Sequence, residues 1–218
     1  MNRLPLLALL LVAGLAHAAD NVDHVNGAIE IAAGQQAGNL STVNGAIRLG
    51  DGAHAGSAST VNGSITLGAR AVAESLSTVN GGVHLGAGAQ VAKSVSTVNG
   101  GVHLAQGAHV SGDVGNVNGT IRLTGAAIDG GLRTVSGDID IGAGSVVKGG
   151  LIVDRESGWS LFRFWGSVPR VVIGPGATVD GTLDFRRTVR LYVSERAHVG
   201  AIKGATPIRF SGATPPDA

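Results

Sequence analysis

The chain has 218 residues, enough for one or two ordinary domains, with 36 Gly, no Cys and only 3% aromatic residues. This excludes a disulfide framework and makes a large aromatic-filled core hard to build, and glycine without a strict every-third period excludes collagen. The formal net charge of +1 gives no argument for nucleic acid, and 44% hydrophobic residues argue against disorder.

Residues 1–18 read as a secretory leader. Arg3 supplies the positive start, Leu4 to Leu15 an apolar run interrupted by Pro5, and Ala16-His17-Ala18 a small-x-small cleavage site. The expected mature chain begins at Ala19 or Asp20. The apolar run is short for a bilayer span, and no later stretch resembles one. The expectation is an exported protein, periplasmic or at the cell surface, without a transmembrane segment after cleavage.

From residue 19 the chain repeats itself. STVNGAIRLG at 41–50 returns as STVNGSITLG at 59–68, STVNGGVHLG at 77–86 and STVNGGVHLA at 96–105. The Val before each Asn-Gly falls at Val25, Val43, Val61, Val79, Val98 and Val117, with VSG at Val135, in steps of 18 or 19 residues. A period this regular means a solenoid. It divides into sides of six: Val43, Leu49, Ala55, Val61, Leu67 and Ala73 are six apart, and Ile47, Ala53, Ser59 and Ile65 fall between them.

The pattern predicts an all-β, single-domain parallel β-helix with triangular coils of about 18 residues. Val43, Ile47 and Leu49 are expected inside, Arg48 in solvent, and Asn44-Gly45 at a corner, where positive φ is often needed. Asn26, Asn44, Asn62, Asn80, Asn99 and Asn118 are expected to stack as an amide ladder. The Ser-Thr pairs at 41–42, 59–60, 77–78 and 96–97 are expected to form a hydroxyl rank. Regular coils are expected over 19–151.

The run TVSGDIDIG (134–142), with its STVNG relatives, resembles secreted adhesin domains built on repeated T-V-S-G-D-I turns. VVIGPGATVDGTL (171–183) and GAHVSGDV (107–114) resemble the bactofilins, polymer-forming bacterial proteins with a right-handed triangular β-helix. Both resemblances favour a right-handed coil. LGAGAQ (85–90) and IGPGAT (173–178) are similar to the hexads of hexapeptide-repeat acyltransferases, whose coils are left-handed, so that hand stays open. The export signal departs from the bactofilins, which are typically cytoplasmic.

Residues 152–170 interrupt the period with Trp159, Phe162, Arg163, Phe164 and Trp165. This insertion reads either as a cover folded onto the rod or as an interaction patch for a partner, a glycan or a membrane surface. Coils resume over 171–204, and 205–218 reads as a loose Pro-rich tail after a partial cap. Six basic and nine acidic residues over 19–150 give way to nine basic and six acidic over 151–218.

For chemistry the sequence offers little. His84 and His103 fall at one outward position in successive coils, but no third metal ligand follows at a useful spacing. Charges are scattered singly, and no nucleophile elbow, zinc-protease helix or phosphate loop is present. The expectation is a non-enzymatic structural or adhesin-like solenoid with no catalytic residues, metal or cofactor. Its expected partners are its own copies, through the solenoid ends, or an envelope component or glycan, and not nucleic acid. The alternatives are a hexapeptide-type acyltransferase and, behind it, a glycan-acting β-helix enzyme.

Overall fold

The structure is a computed structural model that describes residues 20–155 and 168–216. The leader and most of the aromatic insertion, including Trp159, Phe162, Arg163, Phe164 and Trp165, lie outside the described residues. Three parallel sheets wrap the described chain into one solenoid, of ten, ten and seven strands, and no helix occurs among the described residues.

The first face runs from Val22–Asn26 through Leu40–Asn44, Ala58–Asn62 and onward to Ile202–Lys203. The second runs from Ile29–Ile31 and Ile47–Leu49 to Ile208–Phe210, and the third from Val72–Ala73 to His198–Val199. Each strand pairs in register with its equivalent one coil away, as Ser41 with Ser59 and Arg48 with Thr66. At about 4.8 Å per rung, ten rungs make a rod roughly 45 Å long.

Alternation along each short strand builds the core. Ile47 and Leu49 are buried and Arg48 between them is exposed, and Val83 and Leu85 bracket exposed His84 in the same way. The interior is a column of Ile, Leu, Val and Ala in one continuous cluster from Ile29 to Val193. No coil can bury its own apolar side, so each rung depends on its neighbours.

The corners use glycine for two different reasons. Gly34, Gly52, Gly88, Gly107, Gly125, Gly144 and Gly176 have positive φ and occupy one recurring turn position. Arg70 holds that position in its own coil with φ 55°, the one non-glycine residue with positive φ among the described residues. Arg70→Gly should therefore stabilise the rod by about 0.5 kcal/mol, because relief of the left-handed strain exceeds the added chain entropy. Thermal denaturation checks this, with Arg70→Ala giving no such gain. At the Asn-Gly corners Gly27 and Gly119 have positive φ as expected, at 122° and 121°, but Gly45, Gly63, Gly81 and Gly100 do not. A Cβ on any of these four would fall within 2.0 Å of a backbone oxygen in the neighbouring coil. They are small so that the rungs can touch.

Two boundaries move. The strand at the insertion extends over Leu151–Val153, so the coil continues past Leu151 before the break. The segment expected as a loose tail over 205–218 instead carries the strand Ile208–Phe210, paired with Arg190–Ser194. Phe210 packs with Val172 and Tyr192 in a small apolar cluster, which holds it there.

Candidate functional site: the outward ranks and the two ends

Because the coils are in register, every outward position becomes a rank running along the rod. On the first face the structure reverses an expectation. Val43 was expected inside, but Val25, Val43, Val61, Val79, Val98 and Val117 all point outward and are 38–67% exposed. Ser59 and Ser77 are also outward, and the threonines between take the inner places, with Thr60 at 4% exposure.

The reason is a backbone acceptor at the corner. Thr60, Thr78 and Thr97 donate their hydroxyls at 2.9 Å to the carbonyls of Gly45, Gly63 and Gly81 in the preceding coil. A valine there would leave that carbonyl without its side-chain donor. Inner Thr thus satisfies the corner, and Val, next along the strand, is turned to solvent. The rank of serines, the rank of valines and the asparagine corner together make one ordered strip.

The asparagines run head to tail along that strip. The Asn44 amide donates to Asn26 Oδ1 at 2.9 Å, Asn62 to Asn44 at 2.9 Å and Asn80 to Asn62 at 3.0 Å. Asn99 donates to Asn80 and Asn118 to Asn99, both at 3.1 Å. Where the corner changes to Val135-Ser136-Gly137, Arg187 donates to the Val135 carbonyl at 2.9 Å.

The second face carries the rank Glu30, Arg48, Thr66, His84, His103, Arg122, Asp140. Arg48 pairs with Glu30 and Arg122 with Asp140, both at 3.1 Å. The two imidazole centroids lie 5.2 Å apart, with the rings tilted by 47°. A shallow groove of about 360 Å³ follows this rank, bordered by Thr66, both histidines, Gln106, Arg122 and Thr124. Partial burial, and then the charges of His84 and Arg122, hold the His103 pKa below its ordinary value.

Elsewhere charges are likewise used between rungs. Asp129 receives Lys148 at 2.8 Å and His109 at 3.0 Å, and the Lys148 hydrogen bond chiefly keeps its carboxyl below the usual range. Asp154 joins Arg133 at 3.3 Å and Arg186 at 2.7 Å. Among the described residues no three His, Cys, Asp or Glu side chains gather as a metal centre.

The two end rungs differ in charge. The first described rung exposes Asp20, Asp23 and Glu30, and the last exposes Arg196, Lys203 and Arg209, with Glu195 beside Arg196. Asp23 and Lys203 begin and finish the same first-face rank, and Gln36 and His198 the same third-face rank. Each end also leaves core side chains half covered: Val22, Ile31 and Ala37 at one, Val199, Ile202 and Ala205 at the other. The sequence reading missed these end residues as a pair, although the opposed charges of the two halves were their visible trace.

No helix of the described residues is long and apolar enough to cross a membrane. Compared with protein-family models, with curated proteins and with solved structures, the chain has no match.

Proposed function

We propose that this chain is an exported, non-enzymatic scaffold of the cell envelope whose rods stack end to end. The observation that carries the reading is the complementarity of the two end rungs. A second copy set on the last rung continues the first- and third-face ranks, with its Asp23 over Lys203 and its Gln36 over His198, while on the second face its Glu30 falls over Ile208, next to Arg209. Such a junction covers two half-open apolar ends and pairs backbone groups that an edge strand leaves unpaired. It is a head-to-tail contact that does not close, so it gives filaments.

The charges set direction and register more than they supply affinity, since an exposed ion pair contributes about 0.2–1 kcal/mol. Reversing one partner turns attraction into repulsion, so Lys203→Glu should raise the concentration needed for assembly about five- to tenfold. Asp23→Lys combined with Lys203→Glu should restore it. Light scattering on the mature chain at low salt checks both, and assembly of Lys203→Glu at the wild-type concentration would contradict the reading. The use of the flank charges as rung-to-rung pairs supports a structural role over catalysis. The bactofilin likeness of 171–183 points the same way.

A second reading, an adhesin-like lateral surface, draws on the exposed valine rank. A flat strip of six valines beside serines and amides suits contact with an extended surface.

A further inference from the structure

We propose that His84 and His103 form a two-imidazole site for a divalent transition metal ion, of the copper, nickel and zinc class. They are Cα partners on the adjacent strands Val83–Leu85 and Val102–Leu104. Their centroids are 5.2 Å apart and the rings are not stacked flat. Two nitrogens bound to one ion, each at about 2.0–2.1 Å, lie roughly 3–4 Å apart, so rotation of these surface rings is enough to bring them onto a shared metal. Neither ring has a hydrogen-bond partner among the described residues, whereas His109 is held by Asp129 at 3.0 Å.

A second observation comes from the repeat itself. The residue just before this strand is Ala28, Ala46, Ser64 and Thr120 in the coils that carry Glu30, Arg48, Thr66 and Arg122. It is Gly82 and Gly101 in the two coils that carry histidine. Neither glycine has positive φ, and other coils hold a Cβ at this position against the same kind of neighbouring carbonyl, so backbone conformation does not demand glycine. A Cβ on Gly82 would sit 3.2 Å from both His84 Nε2 and the Gly101 carbonyl oxygen, and one on Gly101 would sit 3.0 Å from the Thr120 carbonyl oxygen and 3.5 Å from His103 Nε2. The two glycines therefore clear the nitrogen edges of both rings on one side, at the rim of the groove.

No third His, Cys, Asp or Glu joins the pair among the described residues, so water fills the remaining positions. Copper(II) is expected to bind tightest, with nickel(II) and zinc(II) weaker. Arg122 follows on the rank but is engaged by Asp140, and its charge opposes the cation. An anion site built on the same rank would need Arg122, and the two ligand classes respond oppositely to its removal.

The test is titration of the mature chain, carrying no polyhistidine tag, with copper(II) by calorimetry and electron paramagnetic resonance. One site with two coordinated imidazole nitrogens is expected. His84→Ala and His103→Ala should each weaken it by at least the tenfold or so that even a second-shell partner commands. Gly82→Ala with Gly101→Ala should weaken it while both histidines remain. Arg122→Gln should tighten it, and His54→Ala should leave it unchanged. Unaltered copper affinity in the double variant His84→Ala/His103→Ala, or looser binding in Arg122→Gln, would overturn the proposal.

Discussion

Gly63→Ala should destabilise the rod by on the order of 3 kcal/mol, far more than a methyl group at a surface corner ordinarily costs. The added Cβ would lie 1.9 Å from the Gly45 carbonyl oxygen, 2.5 Å from its carbon and 3.0 Å from Ala46 N. None of these atoms can step aside alone. Gly45 N is bonded to Asn62 O and Gly63 N to Asn80 O, both at 3.1 Å, and Thr60 holds the same Gly45 carbonyl from inside. Relief requires that two rungs part, which strains the ladders of all three faces. Gly52→Ala is the matched comparison. Gly52 has φ 64° but open space around a Cβ, so it should cost only about 1–2 kcal/mol. Chemical denaturation of the two variants checks the contrast, and equal losses would mean that corner glycines act through backbone conformation alone.

Deleting residues 59–76, one 18-residue coil, should leave a folded rod shorter by one rung, whereas deleting 59–75 should not. Ser59 and Ser77 are register partners, so the first deletion joins Ala58 to Ser77 with every side chain on its proper face. The second sets Leu76 in an outward serine place and displaces the strand by one residue, which turns inner side chains out. Exposing even two or three Leu or Ile side chains costs on the order of 5 kcal/mol. Circular dichroism and cooperative melting distinguish the two. A folded 17-residue deletion would show that the coil tolerates slippage, and a misfolded 18-residue deletion would mean that the coils are not interchangeable.

The solenoid was legible because its signal is repeated: steps of 18 or 19 residues, two buried positions around one exposed one, and glycine at each corner. Val43 against Thr42 was not legible by the same means. Both are β-branched, both recur with the period, and hydropathy favours burying valine. What decides is the Gly27 carbonyl, which accepts from Thr42 Oγ1 at 3.2 Å across the coil, a contact that exists only once two coils are stacked. The strand at Ile208–Phe210 was hidden for a related reason. Its anchor is Phe210 against Val172 and Tyr192, which lie on earlier coils. His84 and His103 were visible as a pair, but their twin glycines gained meaning only when the Cβ positions were measured against the rings.

Cross-linking tests end-to-end stacking of the rods most directly. The chain has no Cys, so any disulfide comes from introduced residues. Neighbouring rungs place partner Cα atoms about 5 Å apart, inside the range a disulfide accepts. With Asp23→Cys and Lys203→Cys in one chain, oxidation of the mature protein at low salt should give a ladder of covalent oligomers, while either single variant should give no more than dimers. A double variant that stays monomeric, at concentrations where the wild type scatters as an assembly, would contradict the stacking of Asp23 on Lys203.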